Sequence, residues 1–142
     1  MEITANMPKV NYAEWVFHDV SPFYLQLSQK LKWGILSSQF QPGESLPSVR
    51  EMALLLHINP NTVSRAYKMI RDEGLLEQAK GKIYKIISDN VLIQKKRAEE
   101  VQTLCFNYLR EAMALGFSQE EALFLVKNYI QKLTHGDNQE NG

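Results

Sequence analysis

Cysteine is nearly absent: Cys105 is the single one in 142 residues, so no disulfide can close within the chain. There is no apolar run of bilayer-spanning length and no secretory leader pattern at the start. Together these absences predict residence in a reducing cytoplasm with no membrane partner. Histidine is scarce as well. His18, His57 and His135 are scattered without metal-ligand spacing, so no metal is expected. Phosphate-cradling glycine loops, nucleophile motifs and paired carboxylates are missing too, and neither enzyme activity nor a cofactor is expected. The formal net charge is zero, which argues against a nonspecific polycation.

What is present is apolar content of 44%, sufficient for a folded core. The charge is distributed unevenly. Residues 21–88 hold nine Lys/Arg against five acids, whereas residues 1–20 and 89–142 each carry a net −2. A basic middle between acidic ends is a modest electrostatic footprint for a polyanion.

Within that middle, Leu46 to Gly74 shows two short apolar periodicities, Val49-Met52-Ala53-Leu56 and Val63-Ala66-Tyr67-Ile70, at the spacing of one helical face. Ser48 and Glu51 fit a capping box. Asn59-Pro60 fits an N-cap followed by the helical position that tolerates proline. Gly74 fits the left-handed residue beyond a helix end. Two short helices separated by His57 and Ile58 have helix-turn-helix geometry, whose second helix enters a DNA major groove by its N-terminal end. Asn61, Thr62, Ser64, Arg65 and Lys68 would form the outward face of that helix without one carboxylate, a set able to meet base edges and phosphates. The same periodicity is also that of an ordinary helical hairpin with a solvated face.

Ser21-Pro22 opens an earlier helix with the stripe Leu27, Leu31 and Ile35, widened by Tyr24 and Leu36 and ending near Ser38. Gln41-Pro42-Gly43 reads as a turn. After Gly74 the period becomes that of strands, Leu75 to Ala79 and Ile83 to Ile87, about the basic turn Lys80-Gly81-Lys82. A hairpin following a recognition helix is a wing, and its lysines would reach phosphate or a minor groove. Ahead of all this, Tyr12, Trp15, Val16 and Phe17 form an aromatic cluster expected to pack on the body, with a lid over a ligand as the alternative.

Beyond Ser88-Asp89-Asn90 a long helix runs to about Leu115 and Gly116, carrying Ala98, Val101, Cys105, Tyr108, Ala112 and Leu115, with Leu104 and Leu109 beside them. Ser118 and Glu121 form a second capping box, starting a last helix with Ala122, Val126, Tyr129 and Leu133, to be followed by a polar, frayed tail. Cys105 reads as a small buried hydrophobe. One helical hairpin leaves apolar faces uncovered. Val101, Leu104, Cys105, Tyr108, Ala112, Val126, Tyr129 and Leu133 are therefore the expected seam of a homodimer. Folding back on the chain's own body is the alternative. The expected fold is mainly α with a small β-hairpin: an arm over 1–20, a winged helix-turn-helix over 21–88, a two-helix dimerisation segment over 89–134 and a flexible tail over 135–142.

Several blocks recur in one known order and spacing: Pro22-Phe23-Tyr24-Leu25-Gln26, Ile35-Leu36-Ser37, Pro42 to Glu51, Asn59 to Val63, and Glu73-Gly74-Leu75-Leu76. With them, Ser21 to Ile86 resembles the DNA-binding domain of the GntR family of bacterial transcriptional regulators. The short helical tail and the Pro-Ser-Val-Arg-Glu and Asn-Pro-Asn-Thr-Val wording resemble its YtrA-type subfamily. The resemblance implies a homodimeric repressor of a palindromic double-stranded DNA operator. It implies DNA contacts at Arg50, Asn59, Asn61 and Ser64, and at a wing tip matching Lys80 and Gly81. Ser48, Thr62, Arg65, Lys68 and Lys82 complete the candidate interface from charge, position and helical phase. Where the family wing usually has a second glycine, Ile83 stands, which predicts an altered turn. Pro60 occupies a position often held by arginine in the family. Two alternatives remain open at this level: a switch whose small-molecule effector sits between the N-terminal aromatics and the C-terminal helices, and a protein-interaction module with weakened DNA binding.

Overall fold

The computed structural model describes residues 10–81 and 83–140, with side chains through residue 136. Residues 1–9, the wing-tip Lys82 and the last two residues of the expected tail lie outside the described residues. The chain forms a short 3-10 turn (Tyr12–Glu14), helices α1 (Phe23–Leu36), α2 (Val49–Leu56) and α3 (Pro60–Asp72), strands β1 (Leu76–Gln78) and β2 (Tyr84–Ile86), then α4 (Asn90–Ala114) and α5 (Gln119–Glu140). It divides into two compact units, 1–97 and 98–142. The fold is mainly α, with a winged helix-turn-helix in the first unit and a helical hairpin in the second.

In the first unit the predicted stripes become one core. Leu27, Leu31 and Ile35 of α1 meet Val63, Ala66, Tyr67 and Ile70 of α3, Met52 of α2 and the buried strand residues Leu76, Tyr84 and Ile86, all nearly solvent-free. Ile93, in the first turn of α4, closes the same core. At about 1.5–3 kcal/mol per large apolar side chain, burial of this set is the main favourable term for the unit. Pro22 is the cap residue of α1 rather than its first helical residue, a shift of one position within the usual ambiguity of helix ends. Tyr12, Trp15 and Phe17 pack against the core, while Val16 is left exposed. Tyr12 lies edge-on to Trp15 at 5.0 Å between ring centroids, and Phe17 lies 5.5 Å from Phe23.

The helix ends follow side-chain and glycine chemistry. Gly74 has φ +86°, and the amides of Leu75 and Gly74 return to the carbonyls of Ile70 (3.2 Å) and Arg71 (2.9 Å), a complete Schellman motif. Gly116, at φ +99°, closes α4 the same way through Phe117 to Ala112 (3.1 Å). Asp89 caps α4 by accepting from the Leu92 amide at 3.1 Å.

Two features differ from the sequence reading. First, Gly43 to Leu46 does more than lead into α2. The Leu46 amide donates to the Tyr84 carbonyl (2.8 Å) and the Ile86 amide to the Glu44 carbonyl (2.8 Å), so this stretch flanks β2 as a third line of backbone. The proline and glycine around it hid that pairing, because so short an edge, with the Gly43 amide adding a third bond to the Ile86 carbonyl (2.9 Å), needs no alternating pattern. Second, α5 continues past Leu133 to Glu140. The Thr134 hydroxyl satisfies the Ile130 carbonyl at 3.0 Å, and Gly136 costs only about 1 kcal/mol inside a helix. A polar run without a breaker need not end where the apolar stripe ends.

Candidate nucleic-acid interface

The first edge of the interface is the start of α2. The Ser48 hydroxyl accepts from the Glu51 amide at 3.1 Å, the Ser48 half of the expected box. Met52 and Ala53 turn inward, which leaves Arg50 exposed on the opposite side of the same turn. Ser48 itself is exposed.

Between the helices, His57 takes the left-handed conformation, φ 56° and ψ 43°. The amides of His57 and Ile58 both return to the Ala53 carbonyl, which ends α2 abruptly. The Asn59 side chain then accepts from the Asn61 amide at 2.8 Å, and Pro60 begins α3. A free first-turn amide is thus satisfied while Asn59 and Asn61 stay exposed.

Along α3, at about 100° per residue, Ser64, Lys68, Asn61 and Arg65 fall within one arc of roughly 100°. Val63, Ala66, Tyr67 and Ile70 occupy the opposing arc and are buried. Thr62 lies at the border and is half-buried, as is Ser64; Arg65 and Lys68 are exposed. The exposed arc is fixed in place by Tyr67 from the buried side. Its hydroxyl donates to the Pro47 carbonyl at 2.8 Å, and its ring stands edge-on to Tyr84 at 5.0 Å. α3 is thereby tied to the entry of α2 and to the wing. Burial, followed by the charges of Tyr12, Glu51 and Tyr84, holds the Tyr67 phenol well above the usual tyrosine range. Burial and then Glu44 do the same at Tyr12.

The wing is a short antiparallel hairpin in which Leu76 pairs Ile86, Glu77 pairs Lys85 and Gln78 pairs Tyr84. Lys80 and Gly81 form its exposed tip, with Gly81 at φ +81° and open space around its Cα. Ile83 does not take a left-handed conformation: among the described residues, the non-glycine positions with positive φ are Ser38 and His57. Instead the Ile83 carbonyl accepts from the Ala79 amide at 2.7 Å, and among the described turn residues Gly81 is the one with positive φ.

Sequence reasoning missed Tyr24 as a neighbour of the interface. The Arg65 guanidinium lies 3.7 Å from the centre of the Tyr24 ring, in the first turn of α1. Only the tertiary fold brings these two residues together; the family-like Tyr24 and the basic Arg65 are read separately in the sequence. Sequence reasoning also stopped the outward arc at Lys68. One turn further, Asp72 is exposed in the same phase, beside Arg71 at 3.5 Å, and bounds the carboxylate-free region. At that end of α3, Lys32 meets Glu73 at 3.1 Å, offsetting a carboxylate placed at the negative end of the helix dipole.

The expected seam residues lie in the second unit. Val101, Leu104, Cys105, Tyr108, Val126, Tyr129 and Leu133 are exposed, while Ala112 is buried. Cys105 is therefore not the buried hydrophobe its periodicity suggested: its side chain is exposed, although Tyr108 and Ala112 of the same stripe meet α5. The two helices meet through Ala112 and Ala122 and through the Tyr108 hydroxyl, which donates to the Ala122 carbonyl at 2.8 Å. The Ser118–Glu121 box that starts α5 is reciprocal, at 3.0 and 3.1 Å. Among the described residues no helix is long and apolar enough to cross a membrane, and no cluster of metal-binding side chains occurs.

Comparison with known proteins agrees with this geometry. Residues 23–85 match the family model described as bacterial regulatory proteins, gntR family. The chain is 27% identical to the HTH-type transcriptional regulator YhcF of Bacillus subtilis over 115 residues, 81% of this chain and 95% of that protein. It is 45% identical to the HTH-type transcriptional repressor YtrA of B. subtilis over 62 residues, 44% of this chain and 48% of the repressor, so it spans about half of that relative. Among solved structures, a GntR family transcriptional regulator from Listeria monocytogenes superposes with a TM-score of 0.74 at 28% identity, covering 79% of this chain and 98% of the other. Winged helix, exposed recognition arc and matched segment coincide over the same residues: the chain carries a DNA-binding domain of the GntR family, is similar to YtrA over that domain, and is a DNA-binding transcriptional regulator rather than an enzyme.

Proposed function

We propose that the chain is a cytoplasmic homodimeric repressor that binds a palindromic operator in the region upstream of its own gene and regulates its own operon, with a neighbouring transporter as a further target. The observation that carries the DNA contact is the exposed, carboxylate-free arc of α3, capped by Asn59 and bounded by Asp72. Arg50, Asn61 and Ser64 are the base-reading candidates. Ser48, Asn59, Thr62, Lys68 and the wing tip at Lys80, Gly81 and Lys82 serve as positioning contacts to the backbone. Dimerisation through Val101, Leu104, Cys105, Tyr108, Ala112, Val126, Tyr129 and Leu133 is supported by the exposure of nearly all of them in a single chain. A two-fold dimer presents two recognition helices to two half-sites.

Arg50→Ala tests the contact. If Arg50 reads a base, affinity for the upstream DNA falls by about 1–3 kcal/mol while affinity for mixed-sequence DNA barely changes. If it touches only phosphate, both affinities fall together and the salt dependence becomes shallower. Equal wild-type affinity for upstream and mixed-sequence DNA in a gel-shift series over salt would remove the operator reading.

Effector sensing is a second reading, favoured by open depressions beside the aromatics that suggested it. Tyr12, with Phe40 and Glu44, lines one of about 380 Å³ in the first unit. Tyr108 and Tyr129 line another of about 380 Å³ in the second. Such volumes suit a small molecule. A ligand of this kind would shift operator affinity in the same gel-shift assay.

A further inference from the structure

We propose that Tyr24 is a positioning residue of the DNA interface: its ring holds the Arg65 guanidinium where Arg65 neutralises a backbone phosphate. This inference rests on the DNA-binding reading of α3.

Tyr24 is anchored and Arg65 is not. Tyr24 sits at the start of the α1 stripe that continues through Leu27 and Leu31, both fully buried, and is itself half-buried. Arg65 is exposed, on the outward arc of α3, about 40° in helical phase from Asn61. A guanidinium 3.7 Å from a ring centre is at face-stacking distance. Stacking occupies one face of the cation and leaves the five N–H donors, which lie in its plane, directed at the edge. Among the described residues no carboxylate pairs with Arg65, so its charge is not cancelled locally. An arginine on a flexible stem loses rotamer freedom when it engages a ligand; one already stacked has lost much of it beforehand.

The position favours phosphate over a base edge. Arg65 is the sixth residue of α3, beyond the N-terminal turn that reaches furthest into a groove, and its aromatic partner belongs to another helix. A cation at that junction lies toward the flank of the recognition helix, where backbone contacts set register without reading sequence.

The test uses the full chain and two labelled duplexes, one of mixed sequence and one from upstream of its own coding region, in fluorescence anisotropy over a salt series. Tyr24→Phe retains the ring and is expected to bind within about twofold of wild type. Tyr24→Leu is expected to weaken binding to both duplexes by about two- to fivefold, the size of an exposed cation–π contact. Arg65→Ala should weaken both further and lower the salt slope by about one. The Tyr24→Leu/Arg65→Ala double variant should bind no worse than Arg65→Ala alone, since the ring acts through the cation. Arg65→Lys leaves α1 untouched, so it keeps the test independent of any folding defect at Tyr24. It should retain the salt slope yet lose about two- to fivefold.

Additive losses in the double variant, an Arg65→Lys protein that binds like wild type, or a Tyr24→Leu loss confined to the upstream duplex would each overturn the proposal. If wild type binds neither duplex, the DNA-binding reading beneath it fails instead.

Discussion

The two units of this chain solve the burial problem differently. Residues 1–97 enclose a core in which α1, α3, the hairpin and the start of α4 bury Leu27, Leu31, Val63, Tyr67, Leu75 and Ile86. Residues 98–142 bury Ala112 and Ala122 among their described residues, and turn Leu104, Phe106, Phe124, Tyr129 and Leu133 outward. The first unit has the cross-connections a small domain needs for its own stability. In the second, small residues lie buried at the helix contact, and most large apolar side chains are left exposed, with Leu109 half-buried. A stripe of correct helical period therefore shows which side of a helix is apolar, not what covers it.

The strongest way to break the contrast is to charge the second unit's apolar face. Leu104→Glu with Tyr129→Glu is expected to dissociate the dimer and, through loss of the second half-site, to weaken upstream DNA binding by about a hundredfold or more. The first unit's melting transition should stay in place. Sedimentation velocity, anisotropy and calorimetry on one sample read all three, and a variant that remains dimeric would refute the seam.

The closed unit should fail when its interior is overfilled. Gly34 lies inside α1, where alanine would ordinarily be favoured by about 1 kcal/mol. A Cβ there would fall 2.5 Å from Phe40 Cε2, however, and overpacking costs about 1–3 kcal/mol. We expect Gly34→Ala to lower stability by a net of about 1 kcal/mol in urea unfolding; a stabilised variant would mean that Phe40 moves aside.

Alkali should act on the same unit. The Tyr67 phenol is held above its ordinary value of 10.0, so the folded state keeps a proton that the unfolded state releases. Its contribution is fully present below pH 10 and declines above it, by up to about 1.4 kcal/mol per pH unit. Tyr12, nearer solvent, adds a smaller share in the same direction. Tyr67→Phe should flatten the alkaline limb of a stability–pH curve, at the separate cost of leaving the Pro47 carbonyl without its donor.

The smallest effect is expected at the turn. His57 holds φ 56° where glycine is at ease, so His57→Gly should gain about 0.5–1 kcal/mol after the extra unfolded-state entropy is counted. Thermal melting would show this as a rise of a few degrees, and a loss of stability would mean that the imidazole makes a compensating contact.

Local chemistry was legible in the residues themselves. Asn59-Pro60, Ser48 with Glu51, Gly74 and Gly116 marked helix ends because capping depends on a few neighbouring atoms, and the stripes of α1 to α3 marked the core because helical period is a property of sequence spacing. The exposed arc from Asn61 to Lys68 followed from the same period. What depended on residues far apart in the chain was decided only in three dimensions: Arg65 on the ring of Tyr24, the Tyr67 hydroxyl on Pro47, the Glu44–Leu46 backbone against β2, and Phe40 filling the space over Gly34. Ile83 shows the same division. Its identity in the sequence announced a departure at the wing, but only the fold shows its carbonyl accepting the hydrogen bond from the Ala79 amide. Spacing along the chain encodes which face of an element is apolar and where the element stops; which distant side chain meets that face is a property of packing.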